Sequence, residues 1–214
     1  MRLLDLTLDI YEDLPVFPGT PPVRMLPWNM LQHDGYNSEM LFLSSHVGTH
    51  MDAPYHFCDD GLRIHQIPME RLAGEAALLE TRRGPNGRIT RQDIAEWEAG
   101  HHTIARGSAV VFRTGWHDHL GRDDYFAANP GLSEDAAEYL AARGVGLVGT
   151  DSPSIDAGDA GSFPAHHILA RSGAVNVENL ANLERLEGES FRYVMLPLRI
   201  RDATASPVRA AAVL

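Results

Sequence analysis

The chain has 214 residues, a length that one hydrophobic core can serve, and its 44% hydrophobic and 22% charged content is that of a folded domain rather than a disordered chain. A formal net charge of −11 repels phosphate backbones and anionic lipid, so neither nucleic acid nor membrane is an expected partner. The single cysteine, Cys58, allows no intrachain disulfide, and no stretch approaches the ~20 apolar residues of a membrane span; a reducing cytoplasm is the expected location.

Strict alternation over Leu4–Ile10 predicts a half-buried strand near the start. The prolines at 15, 18, 21 and 22 then stiffen a loop, and Ser38–Ser45 is expected to resume as a strand leading into a group of histidines. Thr90, followed by Asp93, Ile94 and Trp97, predicts a capped amphipathic helix to Glu98, and Ala109–Thr114 a buried strand. Ser133 is placed to cap a second helix running to Arg143, which Gly144 ends. Val145–Gly149 is a short buried strand, 151–164 a Gly/Pro-rich loop, 176–186 partly helical, and Phe191–Ile200 a last strand interrupted at Pro197. No repeat divides the chain, so the expectation is one α/β domain over 1–214.

Chemistry concentrates in Ser45-His46-Val47-Gly48-Thr49-His50-Met51-Asp52-Ala53-Pro54-Tyr55-His56. Three histidines and an aspartate fall on even positions, so an extended chain points 46, 50, 52 and 56 to one face. A helix would align 46 with 50 but turn 52 away, and Pro54 would obstruct it. Imidazole and carboxylate are the usual ligands of zinc and, with more oxygen, of manganese. The bland alternative is a polar strand of hydrogen-bonded histidines; four convergent ligand-type residues favour the metal site.

This stretch resembles the His-x-Gly-Thr-His-x-Asp-x-Pro-x-His motif of the cyclase family of metal-dependent hydrolases, which includes bacterial kynurenine formamidase (arylformamidase) and isatin hydrolase. The likeness extends to Pro15–Gly19, Arg113–Trp116, Gly149–Ser154 and Ser206–Arg209. It implies a swivelling β/β/α domain with a mixed sheet and flanking helices, and a homodimer or homotetramer. It implies His46, His50 and Asp52 as ligands of a first metal, Asp52 bridging where a second is bound, and His56 as the acid/base. His166 and Glu178 match the segments that serve the second metal, with His167 an adjacent competitor. One or two zinc ions, or manganese, are the implied cofactor.

Phe17 stands where kynurenine formamidases place a substrate-stacking tryptophan; a plain loop anchor is the alternative. The implied reaction is hydrolysis of a small-molecule aryl formamide such as N-formylkynurenine by metal-activated water, His56 passing a proton to the departing nitrogen. Opening of a cyclic amide or lactone is the second reading, and a non-catalytic metal or small-molecule binding protein the third. His101, His102, His117 and His119 are expected at the solvated surface, Cys58 as an inert thiol, and Asp151 and Asp156 as turn-forming or ligand-orienting residues.

Overall fold

The computed structural model describes residues 2–214. Its strands are β1 (Leu3–Asp5), β2 (Arg24–Asn29), β3 (Ser38–Phe42), β4 (His50–Asp52), β5 (Ala73–Glu80), β6 (Arg88–Ile89), β7 (Ala109–Arg113), β8 (Gly131–Leu132), β9 (Leu147–Thr150), β10 (Val175–Glu178), β11 (Ser190–Pro197) and β12 (Ala205–Val213). The helices are α1 (Leu31–Asp34), α2 (Arg91–Gly100), α3 (Glu134–Arg143) and α4 (Pro164–Ser172).

An eight-stranded sheet runs β1-β12-β11-β5-β7-β9-β10-β4, and β4 also pairs with β12. That last pairing, Ala205 opposite Asp52, closes the sheet into a mixed barrel of seven strands with β1 attached outside the ring. Strands β5, β7, β9 and β10 are parallel and are joined by helical crossovers, as parallel neighbours must be. Both faces of these strands are therefore covered. Ala76, Leu78, Val111, Val177 and Met195 fill the barrel. Their alternates Leu79, Val110, Phe112 and Val148 pack beneath Ile94 of α2, Leu140 of α3 and Leu169 of α4.

The helix boundaries follow local chemistry. Thr90 caps α2 through a reciprocal box with Asp93, and Gly144 closes α3 in the left-handed conformation. Ser133 precedes α3 without a side-chain cap: its Oγ accepts no N–H of the first turn and lies against Ile89 O and Asp135 Oδ1 instead.

Several expectations need correction. The first strand ends at Asp5, because Thr7 satisfies Ala210 with its hydroxyl and Leu8 N donates to Thr49 Oγ1, replacing backbone pairing. The Ser38 strand stops at Phe42 and pairs with β2, an arm with a register shift at Pro27–Asn29. Segment 176–186 opens as β10, held between β9 and β4, and becomes helical only as a short turn at Leu183–Arg185. The extended reading of 46–56 holds for His50–Asp52 alone: Gly48, at φ 58°, turns the chain before the strand, and Pro54 starts a 3-10 turn after it. Two long strands, β5 and β12, and helix α4 were not anticipated.

Candidate active site

His50, Asp52 and Glu178 alternate with the barrel-filling Met51 and Val177, so the pleat sends all three outward beneath α4. Register places Glu178 opposite His50 and Asn176 opposite Asp52. The turn at Gly48 returns His46 to the same place, and α4 lowers His166 onto it from above.

The distances describe two triads sharing one carboxylate. His46 Nδ1 lies 2.8 Å and His50 Nε2 3.4 Å from Asp52 Oδ1; His166 Nε2 lies 3.5 Å from Asp52 Oδ2 and 3.1 Å from Glu178 Oε1. Ligand atoms of His46, His50 and Asp52 form one group within 4.8 Å, and those of Asp52, His166 and Glu178 another. Four ligands at 2.0–2.2 Å from a zinc ion stand about 3.3–3.6 Å apart, close to the spacings found.

Whether these residues suit a metal is tested by Asp52. Both of its oxygens are buried and neither has a properly directed hydrogen bond, despite three imidazoles nearby. An ionised carboxylate left so costs several kcal/mol unless a cation meets it. Among the described residues no lysine or arginine lines the cavity, so without a metal only the surrounding imidazoles can carry that charge. A divalent cation fits the donor set and its acidic centre.

The outer ring nitrogens are already committed. His50 Nδ1 donates to Gly48 O at 3.0 Å, His46 Nε2 meets Thr204 Oγ1 at 3.0 Å, and His166 Nδ1 lies 2.6 Å from Asp156 Oδ2. Each bond turns the other nitrogen toward Asp52. Without a cation, burial opposes the imidazolium of His50, yet Asp52 and Glu178 outweigh it and raise its pKa to about 9. His56 goes the other way. Burial, reinforced by the neighbouring imidazoles against the pull of Asp52, lowers it to about 4, so its ring is neutral at pH 7.

His56 stands beside the first triad, its centroid 4.1 Å from that of His46 and 6.1 Å from that of His166. Of the adjacent pair, His166 is buried in the cluster, whereas His167 is half-buried and meets the edge of Phe57. Phe17, 40% exposed, lines the same cavity of about 300 Å³. Asp156 is the carboxylate behind His166; Asp151 instead anchors the loop after β7.

Some of the neighbourhood was not legible beforehand. Phe57, Phe126 and Phe163 join Phe17 as aromatic walls, and Asn179 lines the cavity while tying three segments together. Asn179 receives Tyr125 OH at 2.8 Å, donates to Gly48 O at 3.1 Å, and accepts from Thr49 Oγ1 through its carbonyl. Its left-handed backbone, φ 57°, is a conformation asparagine tolerates better than most residues. His117 and His119 are not free surface residues: the first is half-buried against Asp151 and the second stacks on Trp116.

Comparison with known proteins gives four related findings. The family described as putative cyclase matches residues 4–157. A kynurenine formamidase of Paracidovorax citrulli is 33% identical over 215 residues, spanning 97% of this chain and 94% of that protein. Among solved structures, an isatin hydrolase bound to the product analogue thioisatinate gives a TM-score of 0.93 at 29% identity, covering 100% of this chain and 92% of that one. A structure described as a potential metal-dependent hydrolase with cyclase activity gives 0.80 at 28% identity, over 99% and 96% of the two chains.

Proposed function

This chain belongs to the cyclase family, and we propose that it is a metal-dependent hydrolase cleaving an aryl formamide such as N-formylkynurenine. The observation that carries this reading is the pair of buried triads sharing Asp52, with His56 beside them and aromatic rings around the cavity. In it, His46, His50 and Asp52 hold a first zinc ion, and Asp52, His166 and Glu178 a second where two are bound; manganese is the alternative metal. A divalent cation held there supplies a water of lowered pKa and polarises the amide carbonyl.

The chain's own groups do the rest. His56, neutral and next to the first triad, accepts a proton from the water that adds to the carbonyl carbon and returns it to the departing nitrogen as the C–N bond breaks. The Phe17 side of the cavity receives the aryl group, and the burial of His50, Asp52, His166 and Glu178 strengthens the electrostatic contacts among them.

A cyclic amide such as isatin is the second substrate reading, favoured by the 0.93 superposition on an isatin hydrolase. Product analysis of the zinc- or manganese-loaded protein with N-formylkynurenine and with isatin separates the two; turnover of neither, nor of a wider amide and lactone panel, leaves a binding protein.

The reading extends to a swivelling β/β/α architecture and to a homodimer or homotetramer. The β2–β3 arm supports self-association: it exposes Leu26, Trp28, Met40, Leu41 and Phe42, and a two-stranded hairpin is marginal without something packed on it.

A further inference from the structure

Phe163 has a backbone that a phenylalanine should avoid. It sits at φ 53°, ψ 51°, immediately before Pro164 and at the start of α4. A bulky side chain is an outlier in this left-handed region, and a following proline biases its predecessor to extended geometry. Glycine would occupy the position without steric conflict. The surrounding structure holds the residue there: Asp156 accepts from Ala165 N and His166 N, pinning the first turn of α4, and His167 N donates to Phe163 O at 3.1 Å.

The ring is not retained for the hydrophobic core. Phe163 belongs to none of the apolar clusters of the described residues, remains half-buried, and lines the cavity beside the two triads. There it completes a row of rings. Phe126 meets Phe17 at 5.8 Å between centroids, Phe17 meets Phe163 at 6.2 Å, Phe163 meets Phe57 at 5.7 Å, and Phe57 reaches His166 at 4.6 Å. These four phenylalanines come from four separate segments, and Phe163 is the link between the outer pair and the ring beside the imidazoles. Without it the row is broken at its centre.

We propose that Phe163 is a specificity-determining residue, its strained backbone retained because it presents a ring that selects planar aryl groups over saturated ones of similar size. This deepens the aryl-amide reading and rests on it for the identity of the cavity as a substrate site. Offset or edge-on contact between rings has a preference that a cyclohexyl group cannot satisfy, amounting to about threefold to tenfold in affinity.

The test compares Phe163→Gly, Phe163→Ala and Phe163→Leu in the full-length, zinc-loaded protein. Two readouts are taken: thermal stability, and calorimetric binding of benzoate against cyclohexanecarboxylate, which differ in planarity. The expected result reverses the ordinary order of the small residues, with Phe163→Gly at least as stable as Phe163→Ala. The preference for benzoate should fall about threefold to tenfold in all three variants, including Phe163→Leu, which keeps apolar bulk. An unchanged preference in the variants, or a parent protein that does not prefer the planar acid, overturns the proposal. Phe163→Gly less stable than Phe163→Ala overturns the account of the strain. A parent that prefers benzoate yet hydrolyses no formamide or lactam instead sinks the hydrolase reading and leaves Phe163 in its role.

Discussion

Asp156 grips His166 twice, through the side chain and through the backbone. Its Oδ2 lies 2.6 Å from Nδ1 and also accepts from His166 N at 3.1 Å, while Oδ1 accepts from Ala165 N at 2.8 Å. One carboxylate thus caps α4 and sets the ring that faces Asp52 and Glu178. In the protein without metal, burial disfavours the His166 imidazolium, but the surrounding carboxylates of Asp156, Asp52 and Glu178 hold its pKa well above the usual range.

From that grip follows the first prediction. Asp156→Ala should weaken binding of the metal associated with His166 by about 10- to 100-fold, the usual effect of removing a partner that orients a ligand. It should also cost roughly 1 kcal/mol of stability through the lost cap. Competition titration against a chelating dye measures the first and urea unfolding the second. Metal affinity unchanged while stability falls would confine Asp156 to capping.

Removal of ligands should act more severely than removal of their supports. His50→Ala and Asp52→Ala each delete an electron pair from the first triad, and Asp52→Ala also takes the carboxylate shared with the second. Elemental analysis after dialysis should find less than half the metal of the parent in either variant. Chelation should lower the melting temperature too, since metal present at a hundred times its dissociation constant adds about 2.7 kcal/mol to the folded state. Full stoichiometry in Asp52→Ala would overturn the shared-ligand reading.

How much of this was visible in the sequence depends on chain distance. His46, His50, Asp52 and His56 lie within eleven positions, so residue type alone singled them out, although the extended geometry invoked to align them fails at Gly48 and Pro54. His166 and Glu178 arrive from α4 and β10, and only likeness to a family pointed to them. Phe57, Phe126 and Phe163 had no local mark, because each is an ordinary apolar residue until the fold assembles them. Strand β12 escaped notice for another reason: two of its inward-facing positions are Ala210 and Ala212, and alanine carries little strand preference.

A pH effect is expected at His117. Its pKa is raised, mainly by the hydrogen bond to Asp151, against burial and with help from Asp118 and Glu184, whose oxygens lie 3.3 and 3.2 Å from Nε2. Arg82, beside Gly115, is a cation that feels the charges of Asp118 and Asp151. A histidine raised on folding stabilises most below its unfolded value of about 6.5, and the contribution disappears as pH rises through the higher folded value. The stability gap between parent and His117→Gln, followed by urea unfolding with metal held constant, should therefore be widest near pH 5.5 and close in alkaline solution. A gap that widens with pH would contradict the sign.

The arm formed by β2 and β3 should govern assembly. Trp28 is 70% and Phe42 61% exposed, and neither contributes to the three apolar clusters. Trp28→Glu combined with Phe42→Glu should shift sedimentation from an oligomer to a monomer while leaving the helical circular dichroism unchanged. A parent that sediments as a monomer at all concentrations would end this assignment.

The last prediction separates chemistry from metal binding at His56. The residue lies on the 3-10 turn begun by Pro54, outside both ligand triads, yet its ring stands 4.1 Å from that of His46. A group so placed reaches a substrate bound at the triads without being needed to hold the cation. His56→Ala should keep the parent's metal content and lower kcat by about 10² to 10⁴, the range for loss of a general acid/base. Because the cavity walls remain, KM should move far less than kcat. If metal content falls in step with activity, His56 is a ligand, and the proton carrier must be sought among the other groups lining the cavity. If both survive, the amide nitrogen leaves without help from this imidazole.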